Sequence, residues 1–239
     1  MSARIDEVLA AVCSRVAHLR ASLGEPPQSE AGWHDCDAIS AADLETAIDE
    51  GAAHAAGDRT VAASLLVQSY AYRVAAVSLA AFALGLPWPS PAATGTSVRI
   101  SGGRAKSLRF RCDALGEASD ARALAEAAFA SHLAPLVSTA RTSQRLGERL
   151  LWANVAASFA AAFRAVEGAA RGRGDEGESL EIRRRAAALL AHAPWLAGTG
   201  RFDAGHAEWS WQRSACCLWY RTSGGRTCEG CSLRREAHA

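Results

Sequence analysis

Near the end of the chain, four cysteines have the chemistry and spacing of metal ligands: Cys216, Cys217, Cys228 and Cys231. Four thiolates are the number needed to enclose a zinc ion or a small iron–sulfur cluster. The intervening Gly224-Gly225 pair can turn the chain back and bring the second cysteine pair to the first, because glycine adopts positive φ without steric cost. The sequence therefore predicts a metal site built from these cysteines.

The vicinal pair bears on which metal the site would hold. Neighbouring side chains on an extended strand point to opposite faces, so Cys216 and Cys217 reach one atom only if the backbone kinks, and two metal atoms ease that problem. Structural zinc sites usually pair two Cys-x(2–4)-Cys knuckles, whereas this chain has one, Cys228 to Cys231. Disulfides or unliganded thiols are a third interpretation, which a reducing cytosol disfavours. The residues favour an iron–sulfur cluster and leave zinc open.

The strings that carry these cysteines are Arg213-Ser-Ala-Cys-Cys-Leu-Trp-Tyr-Arg221 and Cys228-Glu-Gly-Cys231. Together they resemble the C-terminal signature of the FhuF-type ferric-siderophore reductases, Cys-Cys-x10-Cys-x2-Cys, with the same spacing. Upstream, segments 69–73, 147–155 and 194–196 resemble the helical body of that family.

This resemblance implies that Cys216, Cys217, Cys228 and Cys231 hold a 2Fe-2S cluster, and it assigns no other residue a role. It implies an oxidoreductase that passes one electron to Fe(III) in a siderophore complex, of the hydroxamate type, and releases Fe(II). Since no Gly-x-Gly-x-x-Gly follows a predicted strand, electrons must come from a separate donor such as a ferredoxin or a flavin reductase. The alternative is a non-enzymatic four-cysteine protein, stabilised by zinc or a cluster, that binds siderophores or senses redox state.

Composition limits the remaining classes of protein. The chain has 239 residues, 49% of them hydrophobic, so it can bury a substantial core, and its net charge of +1 argues against nucleic-acid binding. The N-terminus lacks a charged-then-apolar signal segment, which predicts a cytoplasmic protein. The apolar stretch Val74–Trp88 spans about 15 residues, fewer than the roughly 20 that cross a bilayer, and is expected to be a buried helix. Peripheral contact with a siderophore transporter at the inner face of the membrane stays open.

Hydrophobic periodicity predicts an α+β fold that is predominantly α-helical. Helices are predicted over residues 4–23, 40–56, 61–84, 121–136, 139–166 and 180–193. Alternating residues around Gly102-Gly103 predict a β-hairpin near 97–112. The Gly-rich, charge-alternating segment 167–179 predicts a solvated linker. We therefore predict a helical body over residues 1–179, with residues 180–239 packed on it as an iron–sulfur segment.

Other polar residues are candidates for chemistry, but the sequence favours a structural role for most of them. Core positions are favoured over ligand or catalytic roles for Cys13, His34, Cys36, His132 and Asn154. A buried polar network is favoured over a substrate pocket for Gln68, Tyr70, Tyr72 and Arg73. A solvated face is favoured over an anion or acidic-protein site for Arg99, Arg104, Arg109 and Arg111.

Aromatic and basic residues cluster around the cysteines in the sequence. Two roles fit the tryptophans of this region equally well: they shield a cluster from water, or they simply pack the tail onto the helices. These residues are Trp195, Trp209, Trp211 and Trp219. Stabilisation of a reduced cluster, or docking of an acidic electron donor, is expected for Arg213, Arg221, Arg226, Arg234 and Arg235.

Overall fold

The computed structural model describes residues 4–203 and 209–234. Its helices are α1 Ile5–Arg15, α2 Ala41–Ala52, α3 Arg59–Ala83, α4 Ala121–Ala125, α5 Ala134–Gln144, α6 Glu148–Gly172 and α7 Glu176–Ala191. Its strands are β1 Ser22–Leu23, β2 Trp33–Asp35, β3 Trp88–Pro89, β4 Thr96–Ser101, β5 Arg104–Phe110, β6 Leu115–Gly116, β7 Gly200–Asp203 and β8 Ser210–Arg213. The predicted α+β, predominantly helical class is confirmed.

Helix α3 forms the centre of the fold. It begins at Asp58, whose carboxylate accepts a hydrogen bond from the Val61 amide at 3.1 Å, and most of its side chains are buried. It packs against α6, where the Phe82 and Phe163 rings meet edge to face with their centroids 6.5 Å apart. The helix matches the prediction over residues 61–84, but the apolar stretch Val74–Trp88 is not helical throughout, since α3 ends at Ala83 and Trp88 begins β3. The length and composition of α3 would allow it to cross a membrane. However, 78% of its most apolar window is buried inside the protein, as in the core helix of a soluble fold.

Helix α4 continues through a π-helical stretch, Glu126–Leu133, into α5 without a break in helical backbone. The predicted linker over residues 167–179 is wrong. Its residues form the end of α6, a short turn and the start of α7. Glu167 is buried there and accepts hydrogen bonds from Ser179 at 2.9 Å and from Arg183 at 2.5 Å. Glu167 therefore joins the two helices from inside, whereas residues 172–177 at the turn are exposed.

A four-stranded sheet in the order β1-β5-β4-β2 covers part of α3. Strands β4 and β5 form the predicted hairpin, and β2 adds antiparallel to β4 while β1 adds parallel to β5. Strands β3 and β6 pair separately.

Two elements near the chain ends differ from the prediction. Helix α1 ends at Arg15 instead of Leu23, although Val16 and Leu19 beyond it are still buried in the core. The antiparallel pair β7–β8 was not predicted, because each strand is four residues long. This pair packs against α6 and leads directly into Cys216. The division into a body and a C-terminal segment stays a prediction.

Candidate metal centre

The cysteine segment folds back onto strand β8. The Arg213 amide donates a hydrogen bond to the Gly230 carbonyl at 3.0 Å, and the Cys231 amide donates to the Cys228 carbonyl at 3.2 Å. The turn lies so close to the strand that a Cβ on Gly230 would stand 1.9 Å from the Trp211 carbonyl oxygen. A glycine is therefore required at this position.

The chain does not reverse as the sequence suggested. Neither Gly224 nor Gly225 has positive φ; the left-handed residue in this segment is Leu218, at φ 67°. Gly225 is needed for a different reason: the Trp219 backbone packs against it, and a Cβ at this position would lie 2.0 Å from the Trp219 carbonyl oxygen. Gly224 has open space around it.

The four thiols lie close together as two neighbouring pairs. The Cys216 thiol pairs with Cys231, and the Cys217 thiol pairs with Cys228. Cys217 and Cys231 are buried, whereas Cys216 and Cys228 are partly exposed. The structure thus brings together the cysteines that the spacing singled out, and their role as metal ligands stays a prediction.

In the pair formed by Cys217 and Cys228, the Cys217 thiol is the one that loses its proton more readily. The hydrogen bond from the Cys228 thiol, together with the positive charge of Arg213, lowers the pKa of Cys217 to about 5 despite its burial. The same contact raises the pKa of Cys228. Burial raises the pKa of Cys216. One thiolate, on Cys217, is therefore already favoured in the protein without metal.

Backbone amides point at two of the sulfurs. The Leu218 amide donates to Cys216 Sγ and the Leu233 amide donates to Cys231 Sγ, each at 3.4 Å. Such N–H···S bonds stabilise negative charge on ligand sulfurs and help to set the reduction potential of iron–sulfur clusters. The donor set and its hydrogen bonds fit a cluster with thiolate ligands.

Across residues 4–203 and 209–234, no three His, Cys, Asp or Glu side chains converge closely enough to hold one ion. The kind of metal that the four cysteines would hold therefore stays a prediction.

A buried polar network ties the cysteine segment to the helical core. Asn154 on α6 donates to the Ser64 carbonyl at 2.8 Å and hydroxyl at 2.9 Å, and it accepts a hydrogen bond from the Arg213 guanidinium. The Ser64 hydroxyl donates in turn to the Cys217 carbonyl at 2.9 Å. Asn154 and Ser64 are fully buried and Arg213 is nearly so. Sequence reasoning placed Asn154 in the core but missed that it anchors the site.

A second set of contacts holds the cysteine segment on the side that faces solvent. The Arg164 guanidinium on α6 donates to the Trp209 carbonyl at 2.8 Å and forms an ion pair with Glu229 at 2.9 Å. Glu229 lies between Cys228 and Cys231, so this pair holds the turn from outside. The sequence signal was weak, because one exposed arginine on an amphipathic helix is common.

Three of the four tryptophans pack against other aromatic rings, and the fourth lies beside the cysteines. Trp209 stacks on Phe202 with centroids 3.9 Å apart, and Trp195 stacks on Trp152 at 6.3 Å. Trp211 is buried against the same Phe202. Trp219 instead lines a cavity together with Cys217 and Cys228.

The arginines near the cysteines differ in their partners. Arg213 belongs to the buried network, Arg221 pairs with Asp58 at 2.5 Å, and Arg234 donates to Thr227 at 3.0 Å. Arg226 is exposed. Arg235 lies outside the described residues.

Gln68 and Tyr72 line the cavity beside Cys217, whereas His132, Cys36 and His34 are placed apart from the four cysteines. His132 is buried, with its ring nitrogens 2.8 Å from the Tyr70 hydroxyl and 2.6 Å from the Pro91 carbonyl, which agrees with the predicted core role. Cys36 is buried near Tyr70. His34 lies on β2, 3.7 Å from Asp43.

The four arginines of the hairpin do not form the single solvent-exposed face that the sequence suggested. Arg99 pairs with Glu30 at 2.8 Å, Arg111 pairs with Asp35 at 2.6 Å, and Arg109 lies over the Trp33 ring at 5.7 Å. Arg104 alone of these lines the cavity beside Cys217.

Comparison with known families settles the relationship of this chain. The family model described as "Ferric iron reductase FhuF-like transporter" matches residues 64–196, more than half of the chain. The chain belongs to this family. The match begins at Ser64, includes α3 and α6, and ends before the cysteines. No curated protein and no solved structure matches. Membership supports a ferric iron reductase role.

Proposed function

We propose that this FhuF-family chain is a ferric-siderophore reductase that uses Cys216, Cys217, Cys228 and Cys231 to hold a 2Fe-2S cluster. Such a cluster would supply electrons singly, which is what reduction of Fe(III) to Fe(II) requires. The substrate is siderophore-bound Fe(III), of the hydroxamate type. Its hard oxygen ligands hold Fe(II) less tightly, so one transferred electron promotes iron release.

The observation that carries the proposal is the arrangement of the four thiols in two contacting pairs within a ferric-reductase family. The network of Asn154, Ser64 and Arg213 fixes one side of this arrangement to the core. Partly exposed Cys216 and Cys228 keep the other side near solvent, where electrons can pass to and from separate molecules.

A basic hollow beside Cys231 supports the proposal of a separate electron donor. It has a volume of about 510 Å³ and is lined in part by Arg201, Arg213 and Arg234. Clustered positive charge steers and orients an acidic protein surface. A small acidic ferredoxin, or a flavin reductase with an acidic face, would supply the electrons there.

The same proposal locates the reaction in the cytoplasm. Contact with a siderophore transporter at the inner face of the membrane would deliver the substrate, and it would be seen as co-sedimentation of this protein with membranes that contain the transporter.

The test is a single-turnover reduction. Protein purified without oxygen and reduced with dithionite, then freed of dithionite, is mixed with a ferric trishydroxamate in the presence of a ferrous-specific chelator. The proposal expects the visible absorbance of the oxidised protein to return as ferrous chelate forms in equal amount. A colourless protein with stoichiometric zinc, or a reduced protein that stays reduced, would contradict it.

A further inference from the structure

A cavity opens directly beside two of the cysteines. It has a volume of about 350 Å³ and lies between α3, the hairpin and α6, with Cys217 and Cys228 in its wall. Tyr72 and Trp219 give it aromatic surface, and Arg104 gives it a positive charge. Ligand cavities typically combine mostly apolar walls with a few polar groups in this way.

Arg104 differs from the other arginines around the site. Arg213 and Arg221 bind Asn154 and Asp58, but no residue in the described part of the chain accepts a hydrogen bond from Arg104. Its side chain is partly buried, and this burial lowers its pKa, which Cys217 counteracts. A guanidinium carries five donors, so a half-buried Arg104 with no protein partner is free to donate to a ligand in the cavity.

The cavity also restricts the charge of its ligand. Arg104 is its one ionised lining group apart from the cysteines, so a strongly anionic chelate would find little compensation there. A complex of low net charge, with partly negative oxygens for the guanidinium and hydrocarbon arms for the aromatic rings, matches the lining.

We infer that this cavity is the docking site of the ferric chelate, and that Arg104 hydrogen-bonds the oxygens around Fe(III) while Tyr72 and Trp219 contact its arms. The inference rests on the proposed function and adds where the ferric chelate binds and which chelates the protein accepts. In the step that follows docking, one electron leaves the protein centre and enters Fe(III), which becomes Fe(II) with the same oxygen ligands; no covalent bond forms or breaks.

Binding of a redox-inert analogue tests the inference apart from catalysis. A gallium(III) trishydroxamate, which has the charge and shape of the ferric complex but does not accept the electron, is measured by equilibrium dialysis against the purified protein. R104Q is expected to bind it about tenfold more weakly, the loss of a hydrogen bond from a charged donor. R104K should fall between. R122Q removes the same charge from an exposed position on α4 and should bind like the unchanged protein.

A steric variant covers the case in which R104Q does not fold. Ala161 lines the cavity from α6 and is exposed, so Ala161→Trp fills the cavity without entering the core. It should abolish gallium-chelate binding, whereas Ala161→Ser should not. Unchanged binding in R104Q and Ala161→Trp would overturn the inference while leaving the reductase proposal to its own test. Tight binding of a gallium triscatecholate, with weak binding of the trishydroxamate, would overturn the charge argument.

Discussion

Replacing Asn154 by Leu should release the cysteine segment from the helical core. The two side chains have the same number of non-hydrogen atoms with the same branching, so the substitution removes hydrogen bonds without opening a cavity. Asn154 is completely buried, and its amide serves Ser64 on one side and Arg213 on the other. The variant would leave the Arg213 guanidinium without its side-chain acceptor.

The magnitude follows from the groups that lose partners. A buried polar group left unpaired costs about 1–3 kcal/mol, and more when it is charged. Arg213 and the Ser64 hydroxyl both lose a partner, although Ser64 still donates to the Cys217 carbonyl. We expect a loss of about 3 kcal/mol. For a chain of this size, that lowers the Tm by roughly 6–12 °C.

Thermal unfolding by circular dichroism, with iron content measured on the same preparations, tests this prediction. Asn154→Leu should lower the Tm and lose iron. Ser158→Ala is the matched control, because Ser158 lies one turn further along α6 and donates to the Gln68 carbonyl at 2.8 Å instead of to the cysteine segment. It should cost about 1 kcal/mol and keep its iron.

A double variant sharpens the test. Removing both partners of a buried hydrogen bond costs less than removing one, so Asn154→Leu combined with Arg213→Met should be more stable than Asn154→Leu alone. If Asn154→Leu keeps both its Tm and its iron, the network does not anchor the site and the reasoning is refuted.

Three further predictions concern the turn, the ligands and the core. Gly225→Ala should lose iron while the helical circular dichroism is kept, because its Cβ has no room, and Gly224→Ala should be neutral; equal iron content in both would contradict this. Cys228→Ser should abolish visible absorbance, whereas Cys112→Ser should not; a coloured Cys228→Ser protein would exclude this cysteine as a ligand. Burial lowers the pKa of His132 below its ordinary value of about 6.5, so the unfolded chain binds the proton more readily. Urea unfolding should therefore show stability that is constant above pH about 6.5 and falls below it, with a flatter profile for His132→Gln.

Local patterns were sufficient for the elements that they specify directly. Ser40 accepts a hydrogen bond from the Asp43 amide at 3.2 Å and caps α2, as its position before the apolar period indicated. Alternation around Gly102-Gly103 predicted the hairpin because it reflects which residues face the core. The linker prediction for segment 167–179 was wrong for the opposite reason, because its composition resembles that of a linker. Only the tertiary contact with Arg183 makes Glu167 a buried residue.

The sequence was sufficient to single out the four cysteines that the fold brings together, but not the residues around them. The cysteine spacing is local and unusual, whereas Asn154 and Ser64 are ordinary polar residues in apolar helices, and they meet Arg213 only when α3, α6 and β8 pack. Arg104 looked like one of several hairpin arginines. Its distinct role depends on the cavity, which four separate parts of the chain enclose.

The central claim is that four C-terminal sulfurs hold two irons. The most direct measurement is the iron and acid-labile sulfide content of anaerobically purified protein, together with the electron paramagnetic resonance spectrum after dithionite reduction. The account predicts iron and sulfide in equal amounts, about two of each per chain, and a reduced one-electron signal that Cys228→Ser lacks. Protein that contains neither iron nor sulfide, or that contains zinc in their place, would contradict it.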